Sequence, residues 1–184
     1  MPGREKTDRE TIVEAGADDA AAIAAIHIES WRKVYRGILP DSFLDHKVMD
    51  ERRRYWEAAL SSPRDGWFTL AAMRGGTIRG FISVARGGEP GYDAVIENLH
   101  VMPGQRGAGI GRKLIRRAVA RLIDEGASSL ALTVYDANKG AIRFYKRLGG
   151  IADGRGIDPF AGANMPDTRY GWRDLPALLE ACRE

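Results

Sequence analysis

Apolar residues recur along this chain with two different periods, and the switch between them organises it. From Asp18 to Leu60 the spacing is helical. Asp18 or Asp19 caps a helix running to about Trp31, with Ile23, Ile26 and Ile28 among its apolar positions. Pro40-Asp41-Ser42 restarts a short helix, and another spans about Asp50 to Leu60, ending near Ser61-Ser62-Pro63. The period then falls to that of strands. Trp67 to Met73 and Ile78 to Ala85 are joined across Arg74-Gly75-Gly76-Thr77, a hairpin signal. Gly87 to Gly91 is a loop, and Ala94 to Val101 is a third strand.

The helical period returns at Gly109 to Glu125. Ile110, Leu114, Ala118 and Leu122 fall four apart, Ile115 and Val119 lie alongside, and Gly126 ends the helix. Leu130 to Val134 is a short apolar strand, and Asn138 to Leu148 is a helix closed by Gly149-Gly150. Weaker strand signals lie near Ile151 and at Arg169 to Trp172, and Leu175 to Cys182 forms a last helix after Asp174. Thr11 to Ala15 makes a first short strand, and residues 1–10 are expected to be a disordered leader. Hairpins mixed with strand–helix–strand crossovers predict an α/β (α+β) domain over residues 11–184, with a mixed sheet and helices on its faces.

Composition narrows the function classes. The chain has 184 residues with 44% hydrophobic and 29% charged, the balance of a globular protein able to build its own core. No apolar run approaches the ~20 residues that span a bilayer, and the charged start Met-Pro-Gly-Arg-Glu-Lys does not resemble a signal-peptide core. One cysteine, Cys182, leaves no intrachain disulfide and no cysteine-rich metal site, so a reducing cytoplasm is the default compartment and no metal is expected. The net charge of +3 is unevenly spread. Between Pro103 and Gly150 stand ten basic and three acidic residues, leaving the remainder of the chain acidic. Such a segment suits a compact polyanion, or else forms two solvated helix faces. With no basic tail and no aromatics interleaved with those arginines, nucleic acid is not the expected partner.

Within the basic segment, the stretch Asn98-Leu99-His100-Val101-Met102-Pro103-Gly104-Gln105-Arg106-Gly107-Ala108-Gly109-Ile110-Gly111-Arg112 carries a strand through a glycine-rich turn into a helix. Backbone N–H groups at such a helix start, with the positive end of its dipole, bind phosphate. No glycine is followed by Lys-Ser or Lys-Thr, which excludes a P-loop. Glycines 107, 109 and 111 are mis-spaced for a dinucleotide fingerprint, and no strand acid follows at the required distance. The pattern [Q/R]-x-x-G-x-[G/A] is met by Arg106, Gly109 and Gly111.

With the second motif, Val134-Tyr135-Asp136-Ala137-Asn138-Lys139-Gly140-Ala141-Ile142-Arg143-Phe144-Tyr145-Lys146-Arg147-Leu148-Gly149, the chain resembles the GNAT superfamily of acetyl-CoA-dependent N-acetyltransferases over roughly Ile12 to Gly150. One departure is Gly150, where members usually carry an aromatic residue. Ser30 to Pro40 resembles the first-helix region of many bacterial members, and Arg169 to Leu175 resembles their tail less specifically. The resemblance implies a mixed, mostly antiparallel central sheet flanked by helices. It implies acetyl-CoA as cosubstrate and a small-molecule or protein amine as acceptor, with no membrane partner. Many members are homodimers.

The resemblance also implies site roles. The coenzyme A pyrophosphate would rest on the backbone from Arg106 through Gly107, Ala108, Gly109, Ile110 and Gly111 to Arg112. The pantetheine arm would lie along Leu99, His100 and Val101 and bond Asn138, which alternatively is only a helix N-cap. Tyr145 would be the general acid that protonates the departing thiolate. Glu97 is the first candidate for general base. Strict alternation turns it towards the core with Leu99 and Val101, unless a bulge intervenes. His100 points the other way, Asp93 ends the preceding loop, and Thr133 stands where some members carry a glutamate. His27 and His46 are expected to be structural or on the surface. Trp31 and Tyr35 either wall the acceptor pocket or pack the first helix. Cys182 is poorly placed as a nucleophile, so the amine is expected to attack directly in a ternary complex. The alternative is a domain that binds coenzyme A or an acyl-CoA without turnover.

Overall fold

The computed structural model describes residues 9–62 and 64–183. The expected leader therefore lies largely outside the described residues. Seven strands form one sheet in the order β1-β2-β3-β4-β5-β7-β6. They are β1 (Thr11–Glu14), β2 (Trp67–Arg74), β3 (Thr77–Arg86), β4 (Ala94–Val101), β5 (Leu130–Tyr135), β6 (Ile151–Phe160) and β7 (Ala163–Trp172). Only β4 and β5 run parallel. The helices are α1 (Ala20–Val34), α2 (Val48–Ser61), α3 (Ile110–Asp124), α4 (Lys139–Arg147) and α5 (Leu175–Ala181). The mixed, mostly antiparallel sheet flanked by helices is the fold class expected from the sequence.

Two apolar cores lie on opposite faces of the sheet. On one face, Ile23, Trp31, Leu44 and Trp56 from the α1–α2 region pack on Ala71, Phe81 and Met165. On the other, the apolar stripe of α3 meets Ile82, Val84, Leu130 and Leu132, with Tyr145 and Leu148 of the α4 region and Leu175 and Leu178 of α5. Leu114, Ala118, Val119 and Leu122 are fully buried there. Each buried Leu or Ile side chain contributes about 1.5–3 kcal/mol. The opposite face of α3 carries Arg112, Lys113, Arg116, Arg117 and Arg121, so one helix supplies both a core wall and much of the basic surface.

Three elements differ from the sequence expectation. α1 continues to Val34 rather than stopping at Trp31. The two helices expected around Asp41 and Asp50 are one helical run from residue 41 to residue 61, interrupted by a π-helical segment at Phe43–Lys47. The weak strand signals near Ile151 and Arg169 belong to a hairpin whose strands each have ten residues. Its strand β6 contains Gly154, Gly156 and Pro159, poor strand formers that are tolerated because β6 is the sheet edge. Its turn uses Ala161 at φ 52° with Gly162 at φ 80°, without the usual Asn or Asp turn residue. By contrast, the β2–β3 turn uses Gly75 and Gly76, both at positive φ, as their sequence announces.

Gly150 also finds its reason in packing. A Cβ there would lie 2.8 Å from Trp172 Cζ2 and 3.0 Å from the Tyr145 carbonyl oxygen. Trp172 comes from β7, and its Nε1 donates to the Leu148 carbonyl at 2.7 Å. An aromatic ring from β7 thus packs against the backbone at position 150 and leaves room only for glycine.

Candidate active site

A cavity of about 680 Å3 opens where β4 and β5 part. The two strands pair only at Ala94 with Leu130 and Val95 with Ala131. Beyond Val95, β4 stays paired to β3, while its other edge faces the cavity. A bulge helps to part them. Ile96 pairs with Val84 and Asn98 with Ser83, so Glu97 is the extra residue on β4. The bulge shifts the alternation by one position. Ile96, Leu99 and Val101 all reach the α3 side, and Glu97 is exposed at the cavity rather than turned into the core. Partial desolvation against the cavity wall, with the charge of Glu89 second, raises the Glu97 carboxyl above its usual range.

The glycine loop forms the next wall. Gly107 and Gly109 take φ of 86° and 77°, a region that side chains with a Cβ avoid. The first helical turn of α3 begins when Lys113 N donates to the Gly109 carbonyl at 3.0 Å. The N–H groups from Gly107 to Arg112 find no acceptor among the described residues. Gly107, Gly109, Ile110, Gly111 and Arg112 all line the cavity. Exposed donors at a helix start, beside Arg112, can bind an anion. Gly111 also packs closely. A Cβ there would sit 3.4 Å from Phe144 Cζ, which keeps α3 against α4.

α4 presents Asn138 and Tyr145. Asn138 caps the helix, its Oδ1 accepting from Ala141 N at 3.2 Å. Asn138 and Tyr35 both line the cavity, and the Asn138 amide offsets part of the burial that raises the Tyr35 pKa. Tyr145 is 7% exposed, and its hydroxyl has no hydrogen-bond partner among the described residues. Burial first, then Tyr35, pushes its pKa above the usual tyrosine value, so the phenol keeps its proton. Cys182 lies in the core on the α3–α5 side, away from the cavity lining. Burial raises its thiol to about 11, which removes it as a nucleophile. Asp93 accepts from the backbone and hydroxyls of Ser128 and Ser129 and ties the start of β4 to the turn before β5.

Beneath the cavity lies a polar cluster that the sequence did not announce. The His27 and His100 rings stack with centroids 4.2 Å apart. Trp56 Nε1 donates to His27 Nδ1 at 3.0 Å, which places the proton of a neutral ring on Nε2. Ser30 Oγ lies 3.1 Å from His100 Nδ1 and accepts from Arg106 Nη2, also at 3.1 Å. Burial, then Arg106 and Arg52, pulls His100 down to about 3. Burial, then His100 and Arg52, lowers His27. The Arg106 guanidinium thus anchors the glycine loop to α1. His27 is structural as expected, and His46 is on the surface. Trp31 and Tyr35 are buried in the α1 core and also line the cavity.

Another wall comes from the sheet. Tyr135 pairs with Asp167 across β5 and β7, and the Tyr135 hydroxyl donates to Asp158 Oδ2 of β6 at 2.5 Å. Tyr35 packs edge-on to Tyr135 with centroids 5.6 Å apart, and Trp31 packs edge-on to Phe160 at 5.2 Å. Asp158 and Asp167 line the cavity, yet neither stands in any motif. Only the strand register of the unannounced hairpin brings them there. Among the described residues, no group of three or more His, Cys, Asp or Glu is arranged to hold a metal, and no helix is long and apolar enough to cross a membrane.

A model of the acetyltransferase (GNAT) family matches residues 26–150. An uncharacterised N-acetyltransferase, YuaI, of Bacillus subtilis is 29% identical over 170 residues, covering 91% of this chain and 95% of that protein. Thialysine N-epsilon-acetyltransferase of Mus musculus is 41% identical over 94 residues, covering 51% of this chain and 48% of that protein. Among solved structures, that of YncA, a putative acetyltransferase from Salmonella typhimurium with its cofactor acetyl-CoA, superposes with a TM-score of 0.66. It is 23% identical and covers 90% of this chain and 94% of that one.

Proposed function

Because the chain belongs to the acetyltransferase (GNAT) family, we propose that it moves an acetyl group from acetyl-CoA to a primary amine, by direct attack in a ternary complex. The observation that carries this is the row of unpaired N–H groups from Gly107 to Arg112 on the wall of a cavity that also holds a buried, unpartnered phenol. The bound acetyl-CoA of the Salmonella structure and the amine substrate in the name of the mouse relative agree with it.

In this account the loop backbone from Arg106 to Arg112 holds the pyrophosphate, and Arg112 adds charge. The open edge of β4 at Leu99, His100 and Val101, with Asn138 opposite, takes the amide-bearing pantetheine arm by strand-like hydrogen bonds. A backbone N–H near Val101 polarises the thioester carbonyl. Glu97 accepts the proton of the incoming ammonium, and its raised pKa suits a base. The free amine attacks the carbonyl carbon, the carbon–sulfur bond breaks, and Tyr145 gives its proton to the departing thiolate. No cysteine lines the cavity, in keeping with one-step transfer rather than an acetyl-enzyme.

Thermal melts at matched concentration and salt test the cosubstrate. Acetyl-CoA or coenzyme A at about 100-fold over Kd should stabilise by about 2.7 kcal/mol and raise Tm by roughly 5–10 °C. NAD and ATP should do much less. A rise with NAD or ATP alone would overturn the assignment of the loop.

A further inference from the structure

Three strands converge on one patch of the cavity. Gly156 pairs with Asp167 and Asp158 with Met165, while Tyr135 pairs with Asp167. Directly paired residues share a face of the sheet, and so do residues two apart on a strand. Tyr135, Asp158 and Asp167 therefore lie on the same face. Gly156 leaves the space that the Asp167 carboxylate fills, since a Cβ there would stand 2.7 Å from Asp167 Oδ1.

Neither Asp158 nor Asp167 forms an ion pair among the described residues. Asp158 accepts one hydrogen bond, from Tyr135. The Asp167 carboxyl is raised by burial first, then by the charges of Asp158 and Asp136. Two half-buried carboxylates without a cation thus lie in one cavity wall, beside the aromatic rings of Tyr35 and Tyr135. An independent feature marks this cavity as a ligand site. Tyr145, only 7% exposed, lines it, and its hydroxyl, open to the cavity, has no hydrogen-bond partner among the described residues. The cavity is also polarised. Its cations, Arg106, Arg112 and Arg147, come from the loop, α3 and α4, while its carboxylates come from the β6–β7 hairpin and, at Glu97, from β4.

Resting on the proposed acetyl transfer, we infer that the acceptor is a diamine or polyamine whose second, unreacting ammonium group is held by Asp158 and Asp167 against the Tyr35 and Tyr135 rings. Ammonium groups gain from charged acceptors and from aromatic faces together. One amine end reaches the thioester while the other stays protonated on the carboxylates. An acceptor carrying its own carboxylate near that end is repelled.

The test compares 1,5-diaminopentane with pentylamine, which differ by one ammonium group. The full chain is assayed with acetyl-CoA by thiol release, and acetyl-CoA affinity is measured separately by calorimetry. A hydrogen-bonded charge pair predicts a diamine-to-monoamine ratio in kcat/KM of about tenfold or more, beyond the factor of about two from its equivalent amines. D158N and D167N should each shrink that ratio towards the statistical value, chiefly through KM for the diamine. Asp158→Glu, which keeps the charge, should recover part of it. Equal use of both amines, or a ratio that survives both Asn variants, overturns the inference. So does failure to acetylate the diamine while acetyl-CoA binds. Failure of the wild-type chain to bind acetyl-CoA overturns the proposed function itself.

Discussion

His27 and His100 stack beneath the cavity although 73 positions separate them in the chain. Both have pKa values below that of a free imidazole, chiefly through burial. The unfolded chain therefore binds more protons than the folded one once the pH drops below about 6.5. Their stabilising contribution is complete above that value and drains away as pH falls towards about 3, where His100 protonates in the folded state. Urea melts between pH 7 and 5, above the main carboxylate range, should show stability falling on acidification by up to about 1.4 kcal/mol per pH unit per histidine. His100→Gln should remove its share of that slope, and a slope that the substitution leaves unchanged would contradict a buried, neutral His100. Single residues were legible in the sequence only where a motif fixed their neighbours. Asn138 and Tyr145 belong to one continuous pattern on α4, and both reach the cavity. The histidine stack, Ser30 with Arg106, and the Asp158–Asp167 pair join residues from different elements, and no local spacing encodes such contacts.

Among the elements, α3 and the strand–loop–helix before it were the most readable, because a stripe of fully buried apolar residues and a run of glycines act locally. The β4 bulge was foreseen only as a condition. Alternation alone put Glu97 on the core side, and the extra residue between Ile96 and Asn98 reverses that. The β6–β7 hairpin was least legible. Its edge strand is built of residues that ordinarily discourage strands, and long-range pairing with β5 holds it in place. The departure at Gly150 belongs to this scale too, since β7 delivers Trp172 onto that position. Gly150→Ala forces the indole or the end of α4 to shift. The variant should lose about 1–3 kcal/mol of stability, read as a lower Tm. Pairing it with Trp172→Phe should cost less than the sum of the two single changes. An unchanged Tm for Gly150→Ala would contradict the close packing.

At the scale of the whole molecule, the cavity sits where one parallel strand pair comes apart, with a cationic wall of loop and helix N-terminus on one side and a carboxylate wall on the other. A polyanionic cosubstrate suits the first wall and a cationic acceptor the second, and Tyr145 is buried beside both. Family membership and the glycine loop account equally for a domain that merely binds coenzyme A, so the central claim is that this cavity turns its ligand over. The measurement that separates these is the Tyr145→Phe variant, followed by acetyl-CoA-dependent thiol release with a diamine acceptor and, in parallel, by acetyl-CoA affinity. Losing the acid should lower kcat by about 100- to 10,000-fold. The Kd for acetyl-CoA should stay nearly unchanged, because the phenyl ring keeps its packing against Phe144 and Trp172. A Tyr145→Phe enzyme that turns over at the wild-type rate would contradict the account.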